Sequence, residues 1–169
     1  MRWLGILLVG VTLAGSGCAG YRLGPTDGSK AGSRSVQVNF FQNQTLEPRL
    51  SEAVNTSLRR RLQQDGTWKL DTHGEGDIVV TGVITRYERK PLTFRPGDVR
   101  TVRDYNIFMT GRVQAIERST GKVLVAREVT GRTLMRVGSD MGSVERQALP
   151  LLAEDFARNA TSVLVDGAW

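Results

Sequence analysis

The chain has 169 residues, with 23 Lys or Arg against 17 Asp or Glu, a formal charge of +6, one His and one Cys. A single cysteine excludes a disulfide framework, and a single histidine excludes a metal centre built on several imidazoles. This length suits about one domain, enough to bury about 70% of the unfolded surface without covalent staples.

Residues 1–17 open with Arg2, continue as an apolar run from Trp3 to Ala14 and close on Gly15-Ser16-Gly17 before Cys18. This is the pattern of a bacterial export signal ending at a lipidated cysteine. The apolar run is shorter than the roughly 20 residues a permanent transmembrane helix needs, so the leader is expected to be removed. Acyl chains on Cys18 would anchor the mature chain at about 0.8 kcal/mol per buried methylene. Gly15 stands where such signals usually carry Leu, and the competing reading is an ordinary secreted protein with a spare thiol. Ala19, not Asp, follows the cysteine and points to the outer membrane. Loss of Arg2 leaves 22 basic against 17 acidic residues, a net charge of +5. Export argues against nucleic acid as partner and leaves anionic lipid, phosphorylated glycolipid or an acidic protein surface. A GC-rich genome, which favours Arg over Lys, would produce the same excess.

Residues 18–34 read as the lipidated Cys and a Gly/Ser-rich tether, and residues 35–169 as one domain. Ser35 to Gln42 alternates, with Val36, Val38 and Phe40 on one side, as a strand does. Phe40 and Phe41 then fall on opposite sheet faces. After the turn Asn43-Gln44-Thr45, Pro48 opens a helix in which Leu50, Val54, Leu58 and Leu62 recur every fourth residue. Arg59, Arg60 and Arg61 crowd its end, and Gly66 stops it. A short connection carries Trp68 and Leu70.

Asp77 to Lys90 is rich in Ile, Val, Thr and Tyr and predicts a long strand. Pro91 to Arg103 reads as a polar crossing with Pro96-Gly97 at its tip. Tyr105 to Glu117 predicts the next strand, with Tyr105, Ile107, Met109, Val113 and Ala115 on one face. Ser119-Thr120-Gly121 makes a hairpin, and Lys122 to Thr133 returns. Ser143 to Val165 predicts a final helix with Leu149, Leu152, Phe156, Ala160 and Val163 or Leu164 on one stripe, and Pro150 is expected to kink it or mark a later start. The expected fold class is α+β: a two-layer sandwich in the order β-α-β-β-β-α, mostly antiparallel sheet with two helices on one face.

The charge concentrates at the crossing. Arg86, Arg89, Lys90, Arg95, Arg100 and Arg103 meet only Glu88 and Asp98 in that stretch, a surplus of four positive charges that could hold phosphate. The plain alternative is a solvated loop whose arginines keep it soluble.

Cys18-Ala19-Gly20-Tyr21-Arg22-Leu23, Val38-Asn39-Phe40-Phe41-Gln42-Asn43-Gln44-Thr45, Glu47-Pro48-Arg49-Leu50 and Leu92-Thr93-Phe94-Arg95-Pro96-Gly97 followed by Tyr105 together resemble the lipopolysaccharide-assembly lipoprotein family, LptE. The Asn-x-Thr turn also occurs in lipoprotein activators of peptidoglycan synthases. The resemblance covers the whole mature chain. It implies a lipoprotein on the periplasmic face of the outer membrane that plugs an LptD-type β-barrel, helps it assemble and binds lipopolysaccharide in transit. It also implies a binding role for Arg95, the family's hairpin arginine, and for Arg136, the basic position before the last helix.

Little in the chain speaks for catalysis or a cofactor. His73 lies in Asp71-Thr72-His73-Gly74-Glu75-Gly76-Asp77, which reads as a turn, not a metal site. No Gly-x-Ser-x-Gly elbow or Gly-rich phosphate loop occurs, so a non-enzyme is expected. The alternatives are an activator of peptidoglycan synthesis and, further off, a lipid-anchored hydrolase relying on His73.

Overall fold

The computed structural model describes residues 32–138 and 140–166. The elements run β1 (Ser35–Val38), β2 (Gln42–Asn43), α1 (Leu50–Asp65), β3 (Lys69–Asp71), β4 (Ile78–Arg95), β5 (Asp98–Glu117), β6 (Val123–Arg136) and α2 (Met141–Asp166). They form one sheet in the order β3-β1-β4-β5-β6, with β2 also beside β4. β4, β5 and β6 are the expected antiparallel meander. The short pairs β1–β3, β1–β4 and β2–β4 are parallel. The fold is α+β, two helices over a mostly antiparallel sheet.

Both apolar stripes go where their periodicity sends them. Leu50, Val54, Leu58 and Leu62 of α1, and Leu149, Leu152, Phe156, Ala160 and Leu164 of α2, are buried. They join the inward residues of β1, β4, β5 and β6 in a single core, and the helices also pack on each other. Asp140 caps α2, its carboxylate accepting the N–H groups of Gly142 at 3.0 Å and Ser143 at 3.2 Å.

Four expectations change. The first strand ends at Val38, because the chain inserts a step before β2 and buries Phe41 instead of Phe40. Phe41 packs edge-on against Phe156, with ring centroids 6.4 Å apart, and lies over Gly82, where a Cβ would come within 2.1 Å of its ring. Phe40 is left 66% exposed on the other face. The second change is an added strand, β3, whose three residues hold one apolar side chain and no readable alternation. Third, 91–103 is not a crossing. β4 and β5 stay paired to Arg95 and Asp98, and only Pro96-Gly97 turns, with Gly97 at φ 80°. Beyond Ile84, β4 has β5 on one side alone, so Pro91 interrupts no second ladder. Fourth, of the two alternatives at Pro150 a later start fails: α2 runs Met141–Asp166, close to the expected Ser143 to Val165, with Pro150 inside it.

The segment around His73 is a braced turn. The Asp71 carboxylate accepts the N–H groups of Gly74 at 2.9 Å and Glu75 at 2.7 Å. Arg118 donates to the carbonyls of Gly74 at 2.8 Å and Gly76 at 2.7 Å. Cys18, the leader and nearly all of the tether lie outside the described residues. No described helix is long and apolar enough to cross a membrane.

Candidate functional site

The β4–β5 ribbon outruns the rest of the sheet. β6 ends at Arg136, opposite Asp104, so the rungs from Phe94 and Val102 to the turn have no third strand beside them. That end of the ribbon meets solvent on both faces.

A register shift aims its charges. Between Ile84 and Arg86 β4 carries one extra residue, Thr85, which reverses the alternation. Before the shift Ile78, Val80 and Ile84 point to the core. After it Tyr87 and Arg89 point towards α2, where Glu145 accepts the Tyr87 hydroxyl at 2.5 Å and Arg89 Nη1 at 3.4 Å. Burial, reinforced by the hydrogen bond and charge of Glu145, pushes the Tyr87 phenol above its ordinary range.

The seven cations singled out in the sequence fall into different environments. Arg103 and Arg136 are held at Asp104, whose side chain is only 4% exposed. Its carboxylate accepts Arg103 Nε at 2.8 Å, Arg136 Nε at 3.1 Å and the Thr93 hydroxyl. The Thr93 hydrogen bond, then the Arg103 and Arg136 contacts, hold the Asp104 carboxyl down to about 2. This cluster ties β4, β5 and the end of β6 together at the base of the protruding tip. Lys90 pairs with Glu88 at 3.4 Å and stands 5.1 Å from the centroid of the Phe108 ring. Arg89 is committed to Glu145. Among the described residues, Arg86, Arg95 and Arg100 have no ion pair and no side-chain hydrogen bond.

These seven do not form one cluster. Arg86 is nine residues from Arg95 along β4, roughly 30 Å at about 3.3 Å per residue. Arg95 and Arg100 stand together at the tip, since Arg95 is opposite Asp98. Beside them Leu92 is 49% and Phe94 46% exposed. Two open guanidiniums next to exposed apolar side chains suit an amphiphilic anion.

Sequence reasoning missed Asp104, one residue past the stretch whose charges it counted, and Glu145, which is distant in the chain. It also passed over the exposed apolar residues of the tip. Among the described residues, no group of three or more His, Cys, Asp or Glu could hold a metal ion.

Residues 33–162 match the family model described as LptE, lipopolysaccharide-assembly. The chain belongs to the LptE family. Membership assigns it a role in lipopolysaccharide assembly within a family of non-enzymatic lipoproteins. No curated protein sequence matches the chain. Among solved structures it is similar to protein XCC0632 from Xanthomonas campestris, of the DUF330 family, with a TM-score of 0.60 and 11% identity over 87% of this chain and 92% of that one. It is also similar to the hypothetical protein CT253 from Chlamydia trachomatis, with a TM-score of 0.57 and 12% identity over 79% of this chain and 96% of that one. A minor lipoprotein from Acinetobacter baumannii matches with a TM-score of 0.52 and 12% identity over 79% of this chain and 93% of that one. At these identities the likeness to these structures is one of fold alone.

Proposed function

We propose that this LptE-family chain is an outer-membrane lipoprotein, anchored on the periplasmic face through acyl chains on Cys18, that plugs and helps to assemble an LptD-type barrel and binds lipopolysaccharide on its way to the surface. Residues 1–17 act as the signal peptide, residues 18–34 as the tether, and the domain from residue 35 as the plug. The observation that carries the binding reading is the ribbon tip. Arg95 and Arg100 offer guanidiniums that form no ion pair among the described residues, although the Asp98 carboxylate opposite Arg95 lies close enough to feel its charge, and Leu92 and Phe94 offer apolar surface beside them. A phosphorylated, acylated glycolipid presents the complementary groups, and a guanidinium can hold phosphate with two hydrogen bonds at once.

Two measurements test the reading. Mild detergent extraction should bring down a large β-barrel in stoichiometric amount with the tagged lipoprotein. Recovery without such a barrel would reject the plug. Arg95→Glu combined with Lys90→Glu should weaken lipopolysaccharide binding by the purified protein at least about tenfold, equivalent to about 1.4 kcal/mol. Unchanged binding would remove the ribbon from the site.

A further inference from the structure

The sheet face turned away from the helices carries a cleft that the ribbon does not use. It has a volume of about 570 Å³, and its lining includes Asn39, Phe40, Gln42, Gln44, Arg112 and Gln114. This lies within the range of about 300–1,000 Å³ typical of small-molecule sites. The step that buries Phe41 is what builds it. That step leaves the Phe40 ring on the open face, and β2 then sets Gln42 and Gln44 along β4. Arg112 and Gln114 come from β5, in phase with the outward residues because Val113 and Ala115 are buried.

The lining has a definite chemistry. Four carboxamides converge, each able to donate and accept. Asn39 Oδ1 already accepts a hydrogen bond from Gln37 at 2.6 Å, whereas the side chains of Gln42, Gln44 and Gln114 bond to no described residue. Arg112 is the one cation among the described lining residues. Glu128 stands opposite it on β6, yet the two form no ion pair. Phe40 supplies a flat apolar surface at the side of this polar floor. A sugar ring has that dual character, hydroxyls around its edge and an apolar C–H face. One unpaired guanidinium adds a place for one carboxylate, bound by two parallel hydrogen bonds. A multiply phosphorylated ligand would meet too few cations here.

We propose that this cleft is a second binding site, for a carboxylated glycan, with Phe40 against the apolar face of a sugar ring and Arg112 on the sugar carboxylate. The amides of Gln42, Gln44 and Gln114 bond its hydroxyls. This assignment stands apart from the ribbon and does not require it. Carboxylated sugars occur in the core of lipopolysaccharide and in the glycan strands of peptidoglycan, and the cleft chemistry is common to both.

The test is titration calorimetry of the full-length lipoprotein in detergent micelles against three probes: lipid-free lipopolysaccharide core oligosaccharide, peptide-free peptidoglycan glycan strands, and an uncharged chitooligosaccharide. At least one acidic glycan should bind, and which one does identifies the source. Arg112→Gln and Phe40→Ala should each weaken that binding by about tenfold or more, while Arg60→Gln, an exposed cation on the helical side of the sheet, leaves it unchanged. Both substituted side chains are exposed, and circular dichroism checks that the fold persists. The proposal is overturned if neither acidic probe binds at millimolar concentration, if the uncharged probe binds equally well, or if Arg112→Gln has no effect. Loss of binding in Arg95→Glu alone would place the glycan on the ribbon and likewise overturn it. Failure of the ribbon reading leaves these outcomes untouched.

Discussion

Gly131 on β6 lies under α2 so closely that an added Cβ would sit 2.7 Å from the backbone N of Phe156 and 2.8 Å from its Cα. A helix backbone cannot turn aside as a flexible side chain can. Gly131→Ala should therefore destabilise the domain by at least about 1–3 kcal/mol, the usual range for an overpacked core, seen as a fall in the urea midpoint with the slope retained. At Asp104 the issue is charge. Its carboxyl is held at about 2 in the fold, below the ordinary 3.8. A depressed carboxyl stabilises the fold fully above its ordinary value and loses that contribution as pH falls towards the depressed one. The wild-type urea midpoint should thus drop between about pH 4 and pH 2, and Asp104→Asn should flatten that part of the profile while lowering the midpoint at neutral pH. An identical acid limb in Asp104→Asn would show that other carboxylates set it.

Among the elements, β6 poses the problem of a free edge. A bare edge strand invites pairing with another chain. Here α2 covers part of it: Asp155 accepts the Arg132 N–H at 2.9 Å, and Asn159 Nδ2 donates to the Thr130 carbonyl at 2.9 Å. Replacing both Asp155 and Asn159 with Ala should expose these backbone groups and raise concentration-dependent self-association above wild type, measured by light scattering. No rise would mean that packing of α2, not its polar caps, protects the edge. Elements with strong periodicity were readable in advance: the Leu50–Leu62 and Leu149–Leu164 stripes, the meander and its hairpin at Ser119-Thr120-Gly121. The exceptions share a cause. Alternation in Ser35–Gln42 predicts Phe40 inside, but the inserted step, a property of how β2 meets β4, exchanges it for Phe41. The extra residue at Thr85 likewise reverses facing in β4 and commits Arg89 to α2, which no local pattern reveals. The ends of β4 and β5 were hidden because a ribbon wet on both faces needs no apolar alternation. For the candidate site, the basic character of the ribbon could be read from charge alone. Which arginines stay open could not, since Asp104 and Glu145 reach them through the fold.

Over the whole molecule, chemistry is divided between two ends of one sheet. The helices share one face of the sheet, α1 beside β1, β2 and β3 and α2 over β5 and β6, while the ribbon carries cations and apolar side chains beyond the last rung of β6. If the ribbon grips an amphiphile, charge and apolar surface should contribute separately. Arg95→Glu with Arg100→Glu should reduce binding of purified lipopolysaccharide by about tenfold or more, and raising salt should weaken the wild type much more than this variant, because exposed charge pairs are screened beyond about 8–10 Å near physiological ionic strength. Leu92→Ser with Phe94→Ser should weaken binding too, yet keep the wild-type salt dependence, since it removes only apolar contact. Both pairs lie at the solvated end of the ribbon, away from the buried residues of the core, so thermal stability should hold in each variant. A contact with a barrel wall alone predicts a different pattern: recovery of the barrel falls in both variants while lipopolysaccharide binding stays at the wild-type level.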